Sequence, residues 1–157
     1  MAVEADKRSG DKLPGAVLFM CGMNAIRSPI AEAIARHYLP KSVYIASAGV
    51  RRGERDPFVD VVLDEIGLNL GRHQPHVLDD LEDDYFDLIV TLAPEAHHKA
   101  LELTRSWPVE VEYWPTPDPT VATGTREQIL DAYRGVRDHI SKLVNNRLAA
   151  RATGTGD

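Results

Sequence analysis

The segment 86–92, FDLIVTL, is apolar at nearly every position instead of at alternate ones. A strand with one wet face alternates, whereas a run of this kind suits a strand covered on both faces in the middle of a parallel sheet. That requirement constrains the chain, because helices must then lie on both sides of the sheet. The remaining patterns supply them. Ala16–Met20 reads as a short buried strand after the Pro14-Gly15 break. Ile30, Ala31, Ile34, Ala35 and Tyr38 share one helical face, with Pro29 in the first turn and Pro40 as the stop. SVYIAS (42–47) is a second strand, and DPFVDVVLDEIG (56–67) is a helix begun by Asp56-Pro57. APEAHHKALELT (93–104) is a helix and VEVEY (109–113) a strand. The prolines of 114–125 make a loop, and a long closing helix runs over 125–150 on a stripe of Ile129, Leu130, Tyr133, Val136, Ile140, Leu143 and Val144. This order predicts an α/β fold: a single-domain, three-layer arrangement with a central four-stranded parallel sheet and helices on both faces. The domain is expected over residues 14–149, with 1–13 and 150–157 as flexible polar tails.

The chain's 157 residues fit one domain with a real core. A net charge of −6, from 18 basic and 24 acidic residues, argues against a nucleic-acid partner, whose binding rests on phosphate neutralisation. A local positive site for an anion is still compatible with that total, because screening acts over roughly 10 Å. The apolar runs are too short to span a bilayer, so no membrane partner is expected. The charged start MAVEADKRSGDK does not read as a secretory signal. One cysteine, Cys21, excludes an internal disulfide framework and suits a reducing, cytoplasmic location.

Cys21 ends the first strand, and the loop CGMNAIRS (21–28) feeds the first helix. Ligands of open α/β sheets bind beyond such strand ends. The first N–H groups of a helix have no partner within it, and its dipole favours negative charge. A loop curled about one centre aims further N–H groups inward and makes an anion nest. Here the loop offers Gly22, Met23, Asn24, Ala25, Ile26, Arg27 and Ser28 as oxyanion-binding positions. Asn24 tolerates the positive φ that closing such a loop needs. The Arg27 fork matches two oxygens of a tetrahedral oxyanion. The same field favours a thiolate at Cys21, a nucleophile aimed at the oxyanion's central atom, with Ser28 as a donor to the sulfur.

A hydrophobic strand followed by Cys-x5-Arg-Ser-Pro and then AEA resembles the low-molecular-weight protein tyrosine phosphatases, a phosphatase I-like fold that includes arsenate reductases. SAGV (47–50), GLNLGRH (67–73), FDLIVTL and PDPT (117–120) are similar to further segments of that family. The resemblance implies that Cys21 attacks phosphorus to give a phosphocysteine, that Arg27 and the loop amides hold the equatorial oxygens, and that Asp118 is the general acid and then base. It implies that Asn24, Ser28, Ser47 and His73 brace the loop, and that neither a cofactor nor a metal is needed. The expected partner is a phosphorylated substrate, protein phosphotyrosine or a small aryl phosphate, or a free oxyanion.

Three departures stand out. The glycine of the loop is shifted, to Gly22 before Met23; Ile26 stands where relatives carry a second cysteine; and Thr120 follows Asp118-Pro119 where many tyrosine phosphatases place aromatics. Arsenate reductases of this fold often relay oxidation through further cysteines, and Ala93 lies where such relatives often carry one. Arsenate reduction by this chain therefore needs an external thiol or glutaredoxin. A non-catalytic module that binds phospho-ligands is a third reading. Elsewhere, Asp56-Pro57 reads as a helix start and the histidines other than His73 as surface residues. DDLEDDYFD (79–87) reads as a solvated acidic face, and Trp107 and Trp114 as core or rim packing. Tyr113 or Trp114 is a candidate for the substrate mouth, and Arg51, Arg52 and Arg55 are either collectors of anions or plain surface charge.

Overall fold

The computed structural model describes residues 12–81 and 85–151. Four strands, β1 (Ala16–Cys21), β2 (Tyr44–Gly49), β3 (Leu88–Thr91) and β4 (Glu110–Tyr113), form one sheet in the order β2-β1-β3-β4. All neighbouring pairs are parallel, with Phe19 opposite Ser47 on one side and Val90 on the other. From β1 the chain moves outward to β2 on one side and returns to β3 on the other. The point where the order reverses lies at the carboxyl end of β1, where this class of sheet binds its ligands.

Strand periodicity sorts β1 between two cores. Val17, Phe19 and Cys21 join the layer built with α1 (Arg27–Tyr38) and α4 (Arg126–Val144). Leu18 and Met20 face α3 (Pro94–Leu103), whose Ala96 and Ala100 permit close packing. α2 (Pro57–Asp64) packs on α4. Cys21 is thus carried by a strand buried on both faces, on the same side as the start of α1.

The α/β layout predicted from the sequence is present, with shifted bounds. β2 runs two residues later than expected, so Ser47 lies inside the ladder. α2 stops at Asp64 and α3 at Leu103. The closing helix changes to a π-helical turn over Asn145–Ala149. The proline loop contains a 3-10 turn, Pro119–Val121, capped by Asp118. The expected tails lie mostly outside the described residues. Of their described part, Leu13 packs on the core and Arg151 pairs with Glu112 at 3.0 Å, so the ordered body is wider than 14–149. Residues 82–84 of the acidic stretch are likewise outside the description. Within that stretch Phe86 is buried and Asp87 accepts from the N–H groups of Gly15 (2.6 Å) and Ala16 (3.0 Å). That part of the stretch therefore anchors the start of β1 and is not a solvated face.

Candidate active site

The loop between β1 and α1 is organised by its backbone. Its first four carbonyls all accept hydrogen bonds from outside it. Val50 N–H donates to Cys21 O (3.2 Å), Arg51 N–H to Gly22 O (2.8 Å), Gly53 N–H to Met23 O (2.8 Å), and His73 Nε2 lies 3.3 Å from Asn24 O. Among the described residues, none of the backbone N–H groups from Gly22 to Ser28 donates to the protein. Backbone donors in a folded protein are nearly always paired. Seven successive free donors around a buried sulfur make a nest for a negatively charged group.

Asn24 occupies the left-handed region at φ 55°, as the loop's closure required, and is fully buried. Its side chain distributes three hydrogen bonds. Nδ2 donates to Ser28 Oγ and to Ser47 Oγ, each at 2.9 Å, while Oδ1 accepts from the His76 N–H at 3.0 Å. Ser47 Oγ donates onward to Glu32 Oε1 at 2.5 Å. Ser28 Oγ lies 3.0 Å from Cys21 Sγ. Burial pushes the His73 pKa below its ordinary value, against the opposing pull of the Asn24 carbonyl and the Glu32 carboxylate. His73 is then neutral at pH 7, and its contact with a carbonyl places the proton on Nε2.

Cys21 opens onto a cleft of about 290 Å³ whose lining includes Met23, Ile26, Arg27, Gly53, Asp118 and Thr120. Arg27 reaches it from the first residue of α1, and its Nη1 donates to Thr116 O at 3.0 Å, which fixes the guanidinium plane. Asp118 comes from the far side of the fold. Its Oδ1 accepts from Thr120 N–H (2.9 Å) and Thr120 Oγ1 (2.7 Å), leaving Oδ2 without a printed donor on the cleft side of that turn. Burial raises the Asp118 pKa, but the two Thr120 donors and the Arg27 charge outweigh it, and the net displacement is downward.

The structure brings Cys21, Arg27 and Asp118 to one cleft and links Asn24, Ser28, Ser47 and His73 into one network behind it. Several other expectations differ from what is seen. Trp114 is in the core, 6.0 Å from the Phe19 ring, and Tyr113 stacks on His97 at 4.5 Å, so neither lines the cleft. Arg51, Arg52 and Arg55 are paired with Glu95, Asp80 and Asp60. His97 is half-buried and bonded to Thr91 Oγ1 at 3.0 Å, and His76 is also half-buried, so these two are not simple surface histidines. Asp56 does cap α2, accepting from Phe58 N–H at 2.9 Å, yet it also lines the cleft and accepts from the Tyr133 hydroxyl at 2.6 Å. Glu32, Thr116 and Thr120 were not evident beforehand. Glu32 gave the one available signal, a carboxylate between two alanines of a helix that must pack.

The family model "Low molecular weight phosphotyrosine protein phosphatase" matches residues 16–152. The chain belongs to that family. It is 31% identical over 124 residues to an arsenate reductase of Bacillus subtilis (strain 168), a match covering 79% of this chain and 88% of the relative. It is 23% identical over 135 residues to a glutaredoxin arsenate reductase of Synechocystis, covering 85% of this chain and 95% of that one. Its fold matches a crystal structure of a tyrosine phosphatase from Erwinia amylovora with a TM-score of 0.69 at 21% identity, over 91% of this chain and 93% of the other. This member of the family therefore has relatives carrying both activity names. The curated relatives speak for the arsenate alternative more than for the phosphatase reading.

Proposed function

We propose that this chain hydrolyses phosphomonoesters through a phosphocysteine at Cys21. The observation that carries the reading is the ring of free loop amides around the Cys21 sulfur, with Asp118 on the opposite wall of the same cleft. An ester oxygen leaves far more readily when it is protonated as it departs. In the first step the sulfur attacks phosphorus, the P–O bond to the leaving group breaks, and that oxygen takes the proton of Asp118. In the second, water attacks the phosphocysteine and gives its proton to Asp118, the S–P bond breaks, and inorganic phosphate leaves with the thiolate restored. The amides and Arg27 meet the charge that builds on the equatorial oxygens, which is where fixed donors contribute most.

The curated relatives support a second reading on the same cradle. Arsenate has the shape and charge of phosphate, so Cys21 attacks As(V) with loss of one oxygen as water. The chain's cysteine count of one leaves no internal partner for the sulfur. An external thiol then attacks Cys21, arsenic leaves as arsenite, and a mixed disulfide remains for a second thiol to reduce. Two thiols thus supply the two electrons.

One panel separates the readings: an aryl phosphate without metal, and arsenate with glutathione and glutaredoxin, each against Cys21→Ser. Aryl phosphate turnover that depends on Cys21 is the expected result. Arsenite production with no phosphatase activity would replace the first reading with the second.

A further inference from the structure

The oxyanion loop does not hold its own shape. Its three leading carbonyls are taken by the N–H groups of Val50, Arg51 and Gly53, three donors from the segment that follows β2. A peptide whose carbonyl is held outward presents its N–H away from that contact. The 50–53 segment thus acts as a template against which the loop is pressed with its amides free. The approach leaves no room for side chains. A Cβ on Gly49 would stand 2.8 Å from Asn24 N and 2.5 Å from Arg51 O, and one on Gly53 would stand 2.8 Å from Met23 Cβ and 3.0 Å from Met23 O. Neither glycine has a positive φ, so it is space and not backbone freedom that selects them.

The template is tied down by a side-chain pair. Arg51 binds both oxygens of Glu95, at 2.6 and 3.0 Å. Glu95 belongs to the first turn of α3, which is packed on the opposite face of the sheet. The carboxylate of Glu95 also lies against the oxyanion loop, because a Cβ on Gly22 would fall 2.2 Å from its Oε1. This accounts for the shifted glycine of the sequence: Gly22 leaves the space that the Arg51–Glu95 pair fills.

We propose that Glu95, through Arg51 and the 50–53 segment, is a positioning residue that keeps the oxyanion loop in its anion-binding form before any substrate arrives. The inference rests on the reading of residues 21–28 as an oxyanion site. Electrostatics alone predicts the opposite sign for its removal, since Glu95 is a negative charge beside an anion site and its loss frees a positive Arg51.

The experiment is the competitive inhibition constant of inorganic phosphate, with direct titration of phosphate by calorimetry. It is measured on the wild-type chain and on Glu95→Gln, Gly53→Ala and Asp80→Asn. Asp80→Asn removes the partner of the neighbouring Arg52 and serves as the charge control. The expected result is a phosphate constant weakened about three- to tenfold in Glu95→Gln, at an unchanged melting temperature, and at least as much in Gly53→Ala. Asp80→Asn is expected to bind phosphate as wild type does. Glu95→Gln is exposed enough to fold if Gly53→Ala does not, and it then decides alone. Tighter or unchanged phosphate binding in Glu95→Gln would overturn the proposal, as would equal weakening in Asp80→Asn. A wild-type chain that binds no phosphate would instead overturn the reading of the site, and the inference with it.

Discussion

Ser28 Oγ lies 3.0 Å from Cys21 Sγ and accepts a hydrogen bond from Asn24 Nδ2, and the second contact decides the direction of the first. Two anchors fix the polarity of the whole chain of groups. The carboxylate of Glu32 only accepts, so Ser47 must donate to it and accept from Asn24. The backbone N–H of His76 only donates, so Asn24 must present Oδ1 to it and Nδ2 to the two serines. Ser28 already accepts, and its own proton is left for the sulfur. The network is therefore self-consistent with an ionised Cys21, and a thiol proton aimed at Ser28 would compete with Asn24.

Removing that last donor tests the direction. Ser28→Ala leaves Cys21 and the loop backbone in place but takes away one hydrogen bond to a charged atom. Such bonds contribute about 1.5–3 kcal/mol, so kcat/KM for an aryl phosphate is expected to fall roughly 10- to 100-fold. Alkylation of Cys21 by iodoacetate at neutral pH should slow with it. Unchanged alkylation and turnover would mean that the serine only fills space.

Asp118 must carry a proton when the leaving oxygen departs, yet Thr120 and Arg27 together hold its pKa below the ordinary carboxylate range. Thr120→Val deletes the Oγ1 donor at 2.7 Å and keeps the backbone N–H. One of the lowering influences is gone, so the pKa of Asp118 rises. An acid that is active when protonated then stays active to higher pH, and the alkaline limb of kcat/KM, which reports the free enzyme, moves upward. A limb that stays put or moves down would remove Asp118 from the role of general acid.

Much of this was legible in the sequence because it depends on local chemistry. The uninterrupted apolar run of β3, the Cys21-to-Arg27 spacing and the positive φ of Asn24 each follow from what a short stretch must do. The misreadings share a different cause. Trp114 lies directly after β4, near in sequence to a plausible cleft wall, but the chain turns its ring inward onto Phe19. Arg51, Arg52 and Arg55 looked available because their partners Glu95 and Asp80 are 44 and 28 residues away, and only Asp60 is close. Glu32 and Thr116 act on the site through contacts of 15 and 89 residues' separation, and no spacing rule reaches that far.

Asn24 combines a backbone and a side-chain role, and two substitutions separate them. Asn24→Gly and Asn24→Ala lose the same three side-chain hydrogen bonds, but only alanine is strained at φ 55°. A left-handed L-residue costs about 1–2 kcal/mol, partly offset by the greater freedom that glycine gives the unfolded chain. Asn24→Ala is expected to be about 1 kcal/mol less stable than Asn24→Gly in urea unfolding. Equal stabilities would show that the loop relaxes out of this conformation once the network is cut.

At the other end of α2, Glu65 ties that helix to α4 by accepting from Arg134 and Arg137. The Arg134 bonds are the main cause that holds its pKa down, at about 2. An unfolded glutamate titrates near 4.3, so the unfolded chain takes up this proton first as pH falls. The contribution to stability is therefore complete above about pH 4.5 and is lost progressively as the pH drops through about 2. Glu65→Gln has no such titration. The melting temperature of the wild type should exceed that of Glu65→Gln by its largest margin near neutral pH, and the gap should close across this acid window. A gap that keeps its size down to pH 2 would show that the pair holds α2 to α4 by shape and hydrogen-bond count, with no dependence on the charge of Glu65.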